Sequence, residues 1–216
     1  MSTVFSRLRA SLAVLCLVAS GLSAQGRTQT AVFAGGCFWG VDAVFKHVRG
    51  VERVVSGYSG GRGGAATAHY NLVSTDTTGH AESVEVTFNP AQVSYEKLLA
   101  IYWSNIDPTQ ADGQFADVGL SYQAAIYYGN DEEKKIVEAS KEALGKSGLY
   151  EKPIVTQILP AMTFYPAEEY HQKYYLKNAS HYEAYHVGSG REAYQKKMAT
   201  KKQKSKAPSP VASPTR

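Results

Sequence analysis

The residue best suited to chemistry is a cysteine held in a short motif of glycines and aromatic residues. Gly-Gly-Cys-Phe-Trp-Gly spans residues 35–40 and follows the apolar stretch 31–34, which predicts a β-strand. Apolar residues then recur at spacings of three and four over residues 41–48, which predicts a helix. Cys37 would therefore stand at a helix N-terminus, where unpaired N–H groups and the helix dipole favour the nucleophilic thiolate. The alternative is a small buried apolar residue, the common state of a free cysteine.

A carboxyl group is the second candidate, at the start of an alternating segment. Residues 82–88 place Val84, Val86 and Phe88 on one face and polar residues on the other, as in a half-buried strand. Glu82 has the parity of the apolar face. Loss of solvent at that position would favour the protonated form of the carboxyl and make it a candidate acid near neutral pH. The alternative is a strand-end glutamate that leans into water.

The elements that must position these groups alternate between strands and helices. Further strands are predicted at residues 51–58, 122–126 and 154–159, and further helices at 94–103, 131–144 and 166–177. Strands mixed with helices in a chain of 216 residues predict one two-layer α/β or α+β sandwich. We expect an α+β fold around a mixed, mostly antiparallel sheet of the ferredoxin-like plait type.

The two ends of the chain differ in composition from the middle. Residues 1–24 hold two arginines, a short apolar run and small residues before Ala24, without an acidic residue, which is typical of a secretory signal peptide. The apolar run is too short to span a membrane. Residues 196–216 hold seven basic residues, no acidic ones and scattered prolines, and predict a basic disordered tail. The folded domain is therefore expected over residues 25–195, exported to the periplasm or secreted. The alternative is a mitochondrial or other organellar presequence.

The charge balance bears on the class of partner. The chain carries +4 at pH 7, but the leader holds two of the basic residues and the tail seven, which leaves −5 on residues 25–195. A nucleic-acid-binding domain needs clustered basic residues on the domain itself. We therefore expect no nucleic-acid partner.

The cysteine count sharpens the case for chemistry. The chain has two cysteines, and removal of the leader takes Cys16 away and leaves Cys37 alone. A lone thiol in an exported protein forms no internal disulfide and meets oxidants, so its retention indicates a use. The histidines at positions 171, 181 and 186 match no standard ligand set, and no metal is expected.

Several motifs occur in an order that points to one family. They are Gly-Cys-Phe-Trp-Gly at 36–40, Gly-Tyr-Ser-Gly-Gly at 57–61, Gly-His-Ala-Glu at 79–82, Asp-Pro-Thr at 107–109, Asp-Val-Gly at 117–119 followed by Ser-Tyr at 121–122, and Phe-Tyr-Pro-Ala-Glu-Glu-Tyr-His at 164–171. In this order they resemble the peptide methionine sulfoxide reductases of the A type. The resemblance covers residues 30 to about 176.

The resemblance implies a role for each polar residue of the site. Cys37 is similar to the nucleophile that attacks the sulfoxide sulfur, and Glu82 to the acid that protonates the sulfoxide oxygen. Tyr70 and Tyr122 match two tyrosines that donate hydrogen bonds to the same oxygen, and a phenol keeps its proton until about pH 10. Asp117 matches an aspartate that helps to order the site near the cysteine.

The aromatic residues of the cysteine motif have an implied role as well. Phe38 and Trp39 match the apolar pocket that receives the S-methyl group of the substrate, where contact between sulfur and an aromatic ring is favourable. The alternative is that both are core residues at the start of a helix.

Two departures from the family pattern bear on the reaction cycle. Residues 121–124 read Ser-Tyr-Gln-Ala where the family often has Gln-Tyr-Arg-Ser, which changes the local support of Tyr122. No cysteine follows Cys37, whereas many members carry resolving cysteines near the C-terminus. The resemblance therefore implies reduction of methionine S-sulfoxide, free or protein-bound, through a Cys37 sulfenic acid. Thioredoxin, glutaredoxin or a small thiol would regenerate the cysteine, without a bound cofactor.

These inferences describe a monomeric enzyme that repairs oxidised proteins under oxidative stress. Two other classes stay open at this point. A cysteine-histidine acyl transferase or protease would need a histidine base close to Cys37. A binding module would hold methionine-rich partners in its aromatic pocket without changing them.

Overall fold

A computed structural model describes residues 28–206, with side chains to residue 203. The predicted signal peptide at 1–24 and residues 207–216 of the predicted tail lie outside the described residues. The strands are β1 (Gln29–Gly35), β2 (Val51–Ser59), β3 (Ala81–Phe88), β4 (Gly113–Gln114), β5 (Asp117–Val118), β6 (Ala124–Tyr128), β7 (Gln157–Pro160) and β8 (Tyr165–Pro166). The helices are α1 (Phe38–Lys46), α2 (Tyr70–Val73), α3 (Tyr95–Asn105), α4 (Asp131–Lys146), α5 (Tyr174–Lys177), α6 (Ala179–Gly188) and α7 (Arg191–Lys206).

Six of the strands form one sheet in the order β7-β6-β1-β3-β2-β8. Neighbouring strands are antiparallel except for the parallel pair β6 and β7. The predicted α+β fold with a mixed, mostly antiparallel sheet is therefore confirmed, and the ferredoxin-like plait stays a prediction. Strands β4 and β5 form a separate two-stranded hairpin.

The main core lies between one face of the sheet and helices α1, α3 and α4. Phe33 of β1 stacks on Phe45 of α1 and on Tyr102 of α3, with ring centroids 5.0 and 5.2 Å apart. The Tyr102 hydroxyl donates a hydrogen bond of 2.7 Å to the carbonyl of Ala34, so this buried phenol also has its polar atom satisfied. Val137 brings α4 into the same core. These contacts fix α1, and hence the cysteine motif, against the end of β1.

The register of the sheet brings the two predicted reactive groups together. Ala34 of β1 lies opposite Ser83 of β3, so the start of β3 lies beside the turn that follows β1. That turn contains Gly36, which has a φ of +81° and whose missing Cβ would meet the Gln114 side chain at 2.6 Å. Only glycine fits this position without strain or a clash.

Two predicted elements need correction. The helix predicted at 166–177 is wrong: Tyr165 and Pro166 pair with β2 as an edge strand, a 3₁₀ turn follows, and α5 begins only at Tyr174. Proline is tolerated at such an edge because no neighbouring strand needs its missing N–H group. The strand predicted at 122–126 begins at Ala124, and Tyr122 lies in a preceding 3₁₀ turn.

The prediction of a disordered tail from residue 196 is wrong for residues 196–206, which belong to α7. Met198 is buried, and the ammonium of Lys201 donates a hydrogen bond to the carbonyl of Leu149. The basic composition of this segment predicts disorder, but Met198 packs in a buried position. The long aliphatic stems of the lysines can also cover apolar surface while their charges stay in water. No helix within the described range is long and apolar enough to cross a membrane.

Candidate active site

Cys37 is the N-cap residue of α1, as the sequence pattern predicts. Its carbonyl accepts the first hydrogen bond of the helix from the N–H of Gly40, at 3.1 Å. The residue is only 7% exposed, so the thiol lies beneath the surface. It is a free cysteine.

The pKa of the Cys37 thiol is raised well above its ordinary value. Burial is the largest cause, followed by the nearby charge of Glu82, while the Trp39 N–H and the Tyr185 hydroxyl, which favour the anion, act in the opposite direction. The expectation that the helix N-terminus would make the resting group a thiolate is therefore wrong. Helix N–H groups do favour the anion, but loss of solvent, with a smaller contribution from the neighbouring acidic groups, outweighs them. The resting group is a thiol.

Glu82 occupies the position that its parity on β3 predicts, on the buried face and 3% exposed. Burial raises its pKa to about 8, with a further upward contribution from Asp117; hydrogen bonds from the Phe38 N–H and the Cys37 thiol lower it. The Phe38 N–H donates to Oε2 at 2.9 Å. The predicted burial and raised pKa of Glu82 are thus confirmed, and at pH 7 the carboxyl holds its proton. It can therefore act as an acid beside the thiol.

Two phenols stand next to this pair. Tyr70 is held at the start of α2 by its N–H, which donates to Glu168 Oε1 at 2.9 Å, and the Tyr58 hydroxyl holds Oε2 of the same carboxylate at 2.8 Å. Burial, followed by the charge of Glu82, raises the pKa of both Tyr70 and Tyr122. Both therefore remain protonated and able to donate hydrogen bonds.

Tyr122 is oriented by the loop in front of it. The N–H of Ser121 donates to Asp76 Oδ1 at 2.8 Å and fixes the 3₁₀ turn that ends in Tyr122. Gln123, which stands at a departure from the family pattern, turns away and accepts a hydrogen bond of 2.9 Å from the Gln157 side chain. The support of Tyr122 thus comes from Asp76.

Asp117 lies on β5, half-buried, and contributes negative charge to the site. Its proximity raises the pKa of both Glu82 and Cys37. Oδ2 accepts a hydrogen bond from the hydroxyl of Tyr185 on α6. Two like-charged groups so close together cannot both be ionised cheaply, which helps to keep Glu82 protonated.

The two aromatic residues of the motif have different surroundings. Phe38 is 1% exposed and packs against Tyr58 and His171, with ring centroids 5.8 and 4.9 Å away. In this structure Phe38 is therefore a core residue, which was the alternative to a place in the methyl pocket. Trp39 is half-buried and stacks face to face on Tyr174 at 3.7 Å. Its indole N–H donates to His171 Nδ1 at 3.1 Å. The role of Trp39 in a pocket for the S-methyl group of the substrate stays a prediction.

The motif analysis missed two residues that enter the site from the C-terminal helices. They are Tyr185 and Arg191, which is fully buried and donates hydrogen bonds of 2.8 and 2.9 Å to the carbonyls of Gly35 and Asn105. Neither stands in a motif quoted from the sequence. One available signal was Ser-Gly-Arg at 189–191. Its glycine is typical of a helix end, and α7 begins at the arginine that follows. Within residues 28–206 no group of three or more potential ligands could hold a metal ion.

A buried thiol beside a protonated carboxyl and two phenols, on an α+β sandwich, defines a thiol-dependent oxidoreductase site. The sequence model of the family described as peptide methionine sulfoxide reductase matches residues 29–203. The chain belongs to the peptide methionine sulfoxide reductase family. It is an A-type, thiol-dependent enzyme that reduces methionine sulfoxide.

Individual relatives agree with this assignment. Peptide methionine sulfoxide reductase MsrA of Bacillus pumilus is 54% identical over 168 residues, which cover 78% of this chain and 93% of that protein. The MsrA of Bacillus subtilis is 52% identical over 168 residues, with coverage of 78% and 94%.

Two solved structures share the fold. Methionine sulfoxide reductase A of Corynebacterium diphtheriae is 33% identical, with a TM-score of 0.62 over 70% of this chain and 76% of that one. The reduced form of Mxr1 from Saccharomyces cerevisiae is 28% identical, with a TM-score of 0.66 over 70% of this chain and 86% of that one.

Proposed function

We propose that this enzyme reduces the S-epimer of methionine sulfoxide, free and within proteins, through a sulfenic acid on Cys37. The observation that carries this proposal is the close grouping of the Cys37 thiol, the protonated Glu82 carboxyl and the phenols of Tyr70 and Tyr122. Each group supplies one requirement of the reaction: a nucleophile, a proton and hydrogen-bond donors for the departing oxygen.

The first half of the cycle transfers oxygen between two sulfur atoms. The Cys37 sulfur attacks the sulfoxide sulfur, and Glu82 gives its proton to the sulfoxide oxygen. The Cys37 thiol neighbours Glu82 and lowers the pKa of its carboxyl, so the thiol passes its own proton to the carboxylate that forms as the sulfur attacks. The attack forms a bond between the two sulfur atoms. The hydroxyl oxygen then bonds to the Cys37 sulfur as the substrate S–O bond and the S–S bond break, so methionine leaves with an additional electron pair and Cys37 becomes a sulfenic acid. Tyr70 and Tyr122 stabilise the charge that develops on the oxygen.

The second half of the cycle needs thiols from outside the chain. The sequence contains no cysteine after Cys37, so none can form an internal disulfide from that side. An external thiol attacks the sulfenic sulfur, water leaves, and a mixed disulfide forms. A second thiol then releases Cys37 as a thiol and leaves as the partner of a new disulfide. Thioredoxin, glutaredoxin or a small thiol can fill this role.

Replacement of the nucleophile tests the first half. Cys37→Ser should abolish reduction of a methionine S-sulfoxide peptide with dithiothreitol, because a serine hydroxyl cannot take up the oxygen in this way. Mass spectrometry measures the loss of one oxygen from the peptide, and the R-epimer peptide controls for epimer preference. Activity retained by Cys37→Ser would remove the proposed nucleophile.

A single-turnover experiment tests the second half. Without reductant, the enzyme should form one equivalent of methionine and one sulfenic acid that dimedone traps on Cys37. Enzyme alkylated beforehand at Cys37 is the control and should form none. A stoichiometry of two, or protection of the oxidised cysteine from dimedone by an internal disulfide, would contradict the scheme.

The acyl transferase and protease alternative needs a histidine base at the thiol, and no histidine is among the main groups that shift the pKa of Cys37. His171, the histidine nearest to the cysteine motif by its contacts, accepts a hydrogen bond from Trp39 through Nδ1 and packs against Phe38. Burial lowers its pKa, so it is neutral and suited to that acceptor role. Reduction measured by mass spectrometry separates the enzyme from a module that only binds.

The location and assembly of the protein are also proposed. Residues 1–24 direct export and are removed, and the mature enzyme acts as a monomer in the periplasm or outside the cell. A mature N-terminus at Gln25, found by mass spectrometry of the protein from its native host, would support this. Retention of the leader, or an organellar location, would contradict it, and light scattering measures the oligomeric state.

A further inference from the structure

The phenol of Tyr185 connects the acidic side of the site to the reactive sulfur. Its hydroxyl donates a hydrogen bond to Asp117 Oδ2, and its ring meets Trp39 edge-on, with centroids 5.8 Å apart and an interplanar angle of 86°. The side chain is half-buried. It therefore lies between β5 and the first turn of α1, beside Cys37.

The position of Tyr185 is fixed by the turn that joins α6 to α7. The Ser189 N–H donates to the Tyr185 carbonyl at 2.8 Å, and the Ser189 carbonyl accepts from the Ala116 N–H at 3.1 Å. Ala116 precedes Asp117, so the partner of the phenol and the end of its helix are tied together directly. The Tyr185 oxygen therefore keeps its place beside Asp117 while this turn is intact, and a change of hydrogen-bond acceptor requires only that its O–H bond rotate.

Arg191 ties the same turn to the cysteine motif. Its guanidinium donates to the carbonyl of Gly35 and lies over the Phe115 ring at 4.7 Å. A Cβ at Gly40 would lie 2.8 Å from Nε, and one at Gly36 would lie 3.0 Å from Nη2. The glycines on both sides of Cys37 thus leave room for a side chain from the C-terminal helix.

The charged and titratable groups around the Cys37 sulfur show why a further hydrogen-bond donor to that sulfur would matter. They come from six elements: Glu82 on β3, Asp117 on β5, Tyr70 on α2, Tyr122 in the 3₁₀ turn, Tyr182 and Tyr185 on α6, and Arg191 at the start of α7. Both carboxyls disfavour negative charge on the sulfur. Burial, followed by the charge of Cys37, raises the pKa of Tyr185, so this group stays a phenol with a proton to donate.

We propose that Tyr185 is a further catalytic residue, whose hydroxyl turns from Asp117 to the Cys37 sulfur as that sulfur becomes anionic. The phenol keeps its own proton throughout and only changes hydrogen-bond acceptor. In the thiol state it satisfies Asp117, and in the attacking state it stabilises the sulfur anion. After oxygen transfer the same hydroxyl donates to the sulfenic oxygen. The donation to the sulfenic oxygen rests on the proposed function, whereas the donation to the sulfur anion does not.

The test replaces Tyr185 by phenylalanine and follows the thiol directly. A hydrogen bond to a charged group is worth about one pKa unit, so the rate constant for alkylation of Cys37 by iodoacetamide at pH 8 should fall about tenfold. The pH profile of alkylation should move upward by about one unit. Phenylalanine keeps the ring against Trp39, and Tyr128→Phe, the same exchange on β6, is the control that should leave both readouts unchanged.

A double variant separates direct action on the sulfur from support of Asp117. If Tyr185 donates to Cys37, then Tyr185→Phe should slow alkylation about tenfold in an Asp117→Ala background too. If the phenol only holds Asp117, the effect should vanish in that background, and this result would overturn the proposal. An unchanged alkylation profile in the single variant would overturn it as well.

Turnover provides a second readout. Tyr185→Phe should lower kcat roughly tenfold with little change in KM, because the hydrogen bond acts in the attacking state. Alkylation needs no substrate, so it reports on Tyr185 even if Cys37→Ser were to show that the proposed reduction takes another route. The two failures are therefore distinguishable.

Discussion

Replacement of Glu82 by glutamine should stabilise the enzyme at alkaline pH while it removes activity. In the unfolded chain this carboxyl titrates near 4.5, and in the folded protein burial raises its pKa to about 8. Between these values the folded protein holds one proton more than the unfolded chain. The free energy of unfolding therefore falls by about 1.4 kcal/mol for each unit that the pH rises.

The size of the effect follows from the width of that interval. The stabilising contribution is fully present below about pH 4.5 and is lost as the pH rises through about 8, a difference of at most on the order of 5 kcal/mol. Glutamine does not titrate, so this slope should disappear. The amide is also close in size to the carboxyl, and its oxygen can accept the Phe38 N–H that Glu82 accepts at 2.9 Å.

Urea unfolding at about pH 5 and pH 8.5, followed by tryptophan fluorescence, measures the prediction. The free energy of unfolding of Glu82→Gln relative to the unsubstituted enzyme should rise by several kcal/mol between the two pH values. Glu85→Gln, the same exchange at the opposite parity of β3, controls for the loss of a charge from this strand. Activity of Glu82→Gln at pH 7 should fall roughly 100- to 1000-fold, because the acid is missing. A stability difference that stays constant with pH would refute the reasoning.

Two further predictions concern buried charges outside the reacting groups. Arg191→Met should lower the free energy of unfolding by about 3 kcal/mol, because the carbonyls of Gly35 and Asn105 lose their donors. Arg191→Lys should lose less stability than Arg191→Met, and Arg49→Met, at an exposed arginine, should lose none. A loss under about 0.5 kcal/mol in Arg191→Met would contradict the prediction. Burial raises the pKa of Asp42 to about 6, so its folded form also holds an extra proton and stability falls by up to roughly 3 kcal/mol from about pH 4 to pH 6. Asp42→Asn should remove that fall in urea unfolding, and an equal fall in both proteins would speak against it.

Much of the site could be predicted from the sequence because its signals are local. The spacing of apolar residues after Cys37 indicates a helix, and a helix start is a property of a few neighbouring residues. The parity of Glu82 follows from the two-residue repeat of a strand. Such patterns carry over into the fold because the same periodicity decides which side chains face the core.

Other features could not be predicted because they depend on segments far away in the chain. The sequence predicts a helix that begins at Pro166. In the structure Pro166 instead pairs with β2 at the edge of the sheet, because β2 has a free edge there. The segment at 196–206 is basic enough to predict disorder, yet Met198 finds a buried position. Tertiary contacts overrode local preference in both cases.

By itself the sequence determined which groups could react: one thiol at the start of a helix and one carboxyl on the buried side of a strand. Only the tertiary structure decided their protonation, because desolvation depends on everything that surrounds a group. It left Cys37 a thiol and Glu82 an acid, against the expectation of a resting thiolate. It also brought Tyr185 and Arg191 from the C-terminal helices to the cysteine motif, a juxtaposition that no local pattern contains.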